Sequence, residues 1–402
     1  MTGEQTAVER AAERLAKRAQ PFHESIWAMV DGMMNDHPDM VFFGSGVPAK
    51  ELFPVERLQE SSAAAWADGL AALDYGEAEG YGPLRQLIAE RMRRHGAQVD
   101  PDDIVITNGS QQGIDNVVRA VVDPGEVVLV EAPTFMDAIR IFRSHGAEVV
   151  GVPMDDEGMR PDALRATLAR LRSTPRILYL IPTYQNPTGI TMSLPRRREI
   201  LGIAREVGML VLEDDPYGEL RYDDVELPSL RALDPAVIHL GTFSKTFAPG
   251  LRIGWVVTGD PLRRMLLSIK EGTDIQTERI MTRTVYHAVR GYLDDHLDRA
   301  REIYRGRRDA MVHALEREMP AGTTWTVPEG GFFVWVQLPE GMNADDLLPA
   351  AARNGVIYLP GSWFFPDRSE VRGLRLNFST LPEERIVEGV RRLGETLRAA
   401  LG

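Results

Sequence analysis

The chain has 402 residues, 44% of them hydrophobic, far more than one minimal core needs, which favours a large two-domain body able to enclose a cofactor. Its formal net charge of −13 argues against a general affinity for nucleic-acid phosphates or anionic membranes, and the lack of cysteine removes disulfides and thiolate metal sites. The opening stretch MTGEQTAVERAAERLAKRAQ alternates charge with alanine instead of forming the apolar core of a secretion signal, and no membrane-length apolar run follows, so a cytoplasmic protein is expected.

Residues before about Pro54 contain one amphipathic stretch and an extended VFFGSGVP run, too little to bury a core, and are expected to pack on the C-terminal part. Short apolar runs bounded by Gly, Pro or charge then recur at Ile104–Thr107, Val127–Val130, Glu148–Val152, Ile177–Ile181, Met209–Leu212, Val237–Leu240 and Ile253–Val257. These read as buried strands. Helical patterning at Arg160–Leu171 and Pro195–Val207 separates some of them, the βαβ signature of a mainly parallel sheet between helices. A large α/β domain with a seven-stranded sheet is therefore predicted over residues 55–291. After about Tyr292 a charged helix, His296–Glu318, precedes alternating FFVWVQL, then GVIYL and LRLNF. This pattern predicts a smaller α+β domain made of residues 1–54 and 292–402.

The only lysines are Lys17, Lys50, Lys245 and Lys270. Three lie in charged or polar contexts, where a solvated cation is the plain reading. Lys245 sits in GTFSKTFAPGLRIGW, just after a predicted strand and among small residues, where an α/β sheet presents its ligand-binding edge. A desolvated amine near other cations is nucleophilic towards an aldehyde. Taken alone it would still be an ordinary loop lysine. The same holds for Asn108-Gly109-Ser110-Gln111 before a helical pattern beginning near Ile114, which is an anion cradle or simply a turn and cap. Glu213-Asp214-Asp215 could suggest a metal, but no nearby histidine or second acidic cluster supports one, and no metal is expected.

In combination these segments resemble the cofactor-lysine and flanking motifs of the fold-type I pyridoxal-phosphate aminotransferases of class I/II, over essentially the whole chain and nearest the 2-aminoadipate aminotransferase-like subgroup. The resemblance implies pyridoxal 5′-phosphate carried by Lys245, which then serves as general base. It implies that Thr242, Ser244, Arg252, Gly109, Ser110 and Gln111 hold the phosphate, that Asp214 keeps the pyridine nitrogen protonated, and that Tyr217 and Asn186 share the phenolic oxygen. Phe135 of EAPTF would stack on the ring, where many relatives carry tyrosine, so no hydroxyl role transfers. Arg375 of RGLRLNFS would bind the substrate α-carboxylate bidentately, assisted by Asn186 and the backbone of Gly46, while Arg372 reads as solvated. Tyr75 in LDYGEAEGYGPLR would reach the neighbouring subunit's phosphate in a homodimer with shared active sites, with a plain core or surface aromatic as the rival reading.

The implied reaction is ping-pong transfer of an amino group from an amino acid to a 2-oxo acid. The subgroup often supplies an N-terminal arginine for acidic side chains, whereas the stretch His23-Glu24-Ser25-Ile26-Trp27-Ala28-Met29 has none. Trp27 would line an apolar pocket or merely pack, and a neutral hydrophobic or aromatic donor is expected. Two rivals stand beside this reading. The same residues support β- or γ-elimination, because they set electronics without fixing the carbanion's fate. Some regulators carry such a domain behind a DNA-binding region, for which about twenty residues before Pro21 leave no room.

Overall fold

The computed structural model describes residues 14–22, 25–222 and 226–402; His23 and Glu24 lie outside the described residues. All seven expected strands form one sheet in the order Ile104–Thr107, Gly254–Val257, Ile238–Thr242, Leu210–Asp214, Ile177–Leu180, Val127–Ala132 and Glu148–Asp155. An eighth strand, Gly158–Met159, was not foreseen: Gly158 at φ +98° lets the chain turn back antiparallel on Met154 and Asp155. Gly254–Val257 runs antiparallel to both neighbours, and the other pairings among the seven strands are parallel.

Four strands run past their predicted ends, to Ala132, Asp155, Asp214 and Thr242, and in two of them the added residues include a buried carboxylate. Glu131 accepts the Ile181 N–H, and Glu213 accepts those of Leu230 and Arg231, so neither is left unpaired inside the protein. Apolar residues fill both faces of the sheet: Leu212, Ile238 and Leu240 meet Val117 and Phe142, whereas Leu178, Leu180 and Val211 meet Ile200 and Ile203. Burial on both faces is what a continuous apolar strand pattern demands.

A second, antiparallel sheet joins Thr324–Trp325, Phe333–Gln337, Gly373–Asn377 and Leu359–Pro360. The long helix Leu293–Glu318 begins three residues earlier than its pattern suggested, with Asp294 and Asp295 in the first turn, where the helix dipole favours them. Val41–Phe42 pairs in parallel with Val356–Ile357, and Asn377 N–H donates to the Phe43 carbonyl, so the early chain is sewn to the late one. The loop that follows, 44–47, is thereby drawn across the carboxyl edge of the large sheet. Among the described residues no helix is long and apolar enough to cross a membrane, and no group of three or more candidate side chains could hold a metal ion.

Candidate active site

The parallel strands end on one edge, and the loops leaving them surround a cavity of about 360 Å³. Thirteen of the fifteen expected site residues line it. Gly109 stands just behind its wall beside Ser110, and Tyr75 lies elsewhere.

On the cavity floor, Lys245 Nζ donates to the Gly46 carbonyl at 2.7 Å. Burial, then the guanidinium of Arg375 and more weakly that of Arg252, push the amine's pKa down to about 8, with Asp214 opposing. Asp214 is the last residue of its strand. Its Oδ2 accepts the Tyr179 hydroxyl at 2.7 Å, while Oδ1 is buried and without a partner among the described residues. Burial lifts this carboxyl to about 6, a rise only partly offset by the Tyr179 bond. An unpaired, buried carboxylate oxygen facing a cavity calls for an N–H donor, so the residues present fit a protonated heteroaromatic nitrogen.

Tyr217 is wedged edge-on against Phe332 and Phe333, and burial raises its phenol above the usual value. Across the cavity Arg375, opposite Trp335 in the small sheet, sends Nη1 to Asn186 Oδ1 at 2.9 Å and Nη2 to the carbonyls of Gly44 and Ser45 at 2.7 and 3.1 Å. The guanidinium lies 4.1 Å from the Phe333 ring centre, and its Nε is buried without a partner among the described residues. Burial lowers its pKa to about 10, which leaves it a cation. The Gly46 carbonyl meets Lys245, and it is the carbonyls of Gly44 and Ser45 that touch Arg375. A Cβ on Gly46 would lie an ordinary 3.5 Å from Phe333, so the chain's own atoms do not require glycine there.

At the other end the helix Ser110–Val121 starts four residues before Ile114, where Gly109 at φ +79° turns the chain out of the strand, and among the described residues no side chain caps its first turn. A Cβ on Gly109 would sit 2.2 Å from Arg252 Nη2, which shows how closely that guanidinium approaches the helix start. Arg252 itself adopts a left-handed φ of 54°, uncommon outside glycine, and places Nη1 3.4 Å from Ser244 Oγ and Nη2 3.3 Å from the Asn108 carbonyl. Thr242 Oγ1 lies within reach of Ser244 Oγ and the Ile253 carbonyl, at 2.9 and 3.1 Å, so its hydroxyl braces the loop. Free helix N–H groups, a hydroxyl and a guanidinium converging on one point make a cradle for a phosphate.

Phe135 precedes the helix Met136–Ser144 and faces the cavity, as does Trp27 of the helix Ile26–Met33. Tyr75 is 76% exposed and lies outside the cleft, in a stretch of chain where Trp66, Leu70 and Leu73 are exposed as well. Tyr179, Phe333 and Asp137 are among the residues the sequence did not single out. Tyr179 is the lone hydroxyl in the buried strand ILYL, directly opposite Leu212 and hence two positions along from Asp214, a signal that strand alternation could have supplied. Phe333 and Asp137, both in the cavity wall, carried no signal beyond apolar and helical patterning.

A family profile described as aminotransferase class I and II matches residues 38–393. The chain is 42% identical over 368 residues to aromatic-amino-acid aminotransferase 1 of Thermococcus litoralis, covering 90% of this chain and 88% of that one. In structure it resembles the kynurenine aminotransferase of Pyrococcus horikoshii in complex with PMP, with a TM-score of 0.93, 37% identity and coverage of 99% and 100%. The α-aminoadipate aminotransferase of Thermus thermophilus, complexed with N-(5′-phosphopyridoxyl)-L-leucine, aligns with a TM-score of 0.89 at 39% identity, covering 97% of this chain and 99% of that one.

Proposed function

The chain belongs to the class I and II aminotransferases, fold-type I enzymes that use pyridoxal 5′-phosphate, and from that premise we propose that it works as a cytoplasmic homodimer on neutral, hydrophobic or aromatic L-amino acids, passing their amino group to a 2-oxo acid. The observation that carries the substrate reading is the asymmetry of the cleft: among the described residues its only cations are Lys245, Arg252 and Arg375, each with a task in the chemistry, while Trp27, Phe42, Val47 and Phe333 add apolar wall. Elimination is not favoured, since the named relatives are aminotransferases.

When bound, the cofactor supplies an aldehyde that condenses with amines and a ring that accepts the electrons of a breaking bond at the substrate α-carbon. Lys245 carries it and, once released, takes the α-proton; a pKa near 8 leaves a useful fraction of free amine at neutral pH. Asp214, with Oδ1 unpaired among the described residues, would accept the ring N–H, and Tyr179 steers the carboxylate from its other oxygen. Tyr217 and Asn186 would hold the phenolic oxygen, and Phe135 would cover a ring face. Arg252, Ser244 and the helix start at Gly109, Ser110 and Gln111 hold the phosphate, with Thr242 positioning Ser244. Arg375 binds the substrate α-carboxylate, a role its unpaired Nε supports.

We take residues 55–291 as the cofactor-binding domain and residues 1–54 with 292–402 as the smaller one, a division supported by the pairing of Val41–Phe42 with Val356–Ile357. The exposed Trp66, Leu70, Leu73 and Tyr75 support a homodimer in which Tyr75 reaches the neighbouring cofactor. The test is a donor panel of leucine, phenylalanine, methionine, glutamate and 2-aminoadipate against several 2-oxo acids. Leucine, phenylalanine or methionine should lead, and a strong preference for the two acids overturns the substrate reading.

A further inference from the structure

Five side chains in the cleft wall are of the ionisable acid or base kind, apart from Tyr217: Lys245, Arg252, Arg375, Asp214 and Asp137. The reading above gives the first four a task and a counter-group. Asp137 has none. It is the second residue of the helix Met136–Ser144, next but one to Phe135, and thus belongs to the wall around the substrate rather than to the strand-end floor.

Its carboxylate accepts from Arg140 Nη1 at 3.1 Å, but the two partners face different ways. Arg140 does not line the cleft; it opens onto a neighbouring hollow, sends Nε to the Pro21 carbonyl at 3.3 Å and lies 5.2 Å from the Phe22 ring centre. The helix therefore turns an anion inward and holds its cation outward. Asp137's field reaches the cleft floor, where it works against the lowering that burial imposes on Lys245 and Arg375.

We propose that Asp137 is a specificity-determining residue that keeps a second carboxylate out of the cleft. A distal carboxylate entering there would meet Asp137 in a partly desolvated space, where like charges repel strongly. Because a ping-pong enzyme passes donor and acceptor through one cleft, the rule governs both half-reactions. The donor is a monocarboxylic amino acid, and the acceptor is a 2-oxo monoacid such as pyruvate in preference to a 2-oxo diacid. This inference rests on the reading that Arg375 takes the α-carboxylate.

The experiment compares the cofactor-loaded wild type with Asp137→Asn and Asp137→Ser. Within each protein it reads kcat/KM for leucine over glutamate and for pyruvate over 2-oxoglutarate, so that a general loss of activity cancels. Both ratios should fall by about tenfold or more in the neutral variants. Asp137→Glu should retain the wild-type ratios, and Arg140→Ala, which removes the neutralising partner, should raise them. A wild type that prefers leucine, with ratios unmoved by Asp137→Asn and Asp137→Ser, overturns the role of Asp137 alone. A wild type that prefers glutamate overturns the apolar-donor reading itself.

Discussion

The floor of the cleft and its side-chain end are built on different terms. On the floor each functional group is fixed by a partner: Asp214 by Tyr179, Lys245 by the Gly46 carbonyl, Arg375 by Asn186, Gly44 and Ser45. At the side-chain end, Trp27, Phe42, Val47 and Phe333 offer shape and apolar surface. A preorganised polar floor suits chemistry common to all substrates, whereas an apolar wall can discriminate only by fit, at modest energy per contact. Removing a reacting or carboxylate-binding group from the floor should therefore cost orders of magnitude in rate, and trimming an apolar wall residue only factors.

The comparison breaks most visibly if Lys245 proves dispensable. Lys245→Ala should lower kcat/KM by about 10,000-fold and abolish the cofactor's lysine-dependent visible absorbance. The lysine also gives the floor a pH signature. Only the unprotonated amine attacks an aldehyde, so uptake of pyridoxal phosphate by the apoprotein should accelerate as pH rises, with a midpoint near 8 instead of the value above 10 usual for lysine. A midpoint above 10 would show that the burial seen here does not govern the amine.

Arg375→Lys comes next. Lysine keeps the charge but loses the planar fork, and it leaves the Asn186 amide oxygen and two backbone carbonyls to a single ammonium. KM for every amino acid should rise about 100-fold with a smaller change in kcat, since the α-carboxylate is held both before and during reaction. Equal loss for all donors is the mark of a floor residue.

Tyr179→Phe should have a smaller effect that still belongs to the floor. Losing one hydrogen bond to the ionised carboxylate should cost about tenfold in kcat/KM. It should also raise the Asp214 pKa above its present value of about 6, because the phenol stabilises the charged form. A carboxylate must be ionised to receive a ring N–H, so cofactor affinity should fall away on the acid side at a higher pH than in the wild type. Titrating binding from pH 8 to 5 reads the shift, and superimposable curves for the two proteins refute it.

The same division explains what the sequence could disclose. The seven strands of the sheet were legible because burial on both faces writes itself as uninterrupted apolar runs. Their ends at Glu131 and Asp214 were not, because a charged residue inside a strand makes sense only once the donors that satisfy it, Ile181 N–H and the Tyr179 hydroxyl, are brought in from distant positions. Lys245, Asp214 and Arg375 were legible because their chemistry demands one residue type in one local setting. Asp137 and Phe333 were not: a helical aspartate and a strand phenylalanine are unremarkable until folding turns them towards the same space. Tyr75 shows the limit from the other side, since a single chain leaves it exposed and its expected target lies on another subunit.

Trp27→Ala tests the wall where the expected effect is smallest. The indole is 37% exposed and lines the cavity, while Ile26 and Val30 of the same helix are buried and anchor it. Truncating Trp27 should therefore leave the helix docked and remove only apolar surface that a large substrate would cover. Losing part of such a contact is worth about 1 kcal/mol, so KM for phenylalanine should rise about fivefold, with less change for leucine and little in kcat. The leucine-over-glutamate preference set by charge should move far less than in Asp137→Asn, because an indole carries none. If Trp27 merely packs, Tm falls and the phenylalanine-to-leucine ratio stays put; a changed ratio at unchanged Tm assigns Trp27 to the substrate.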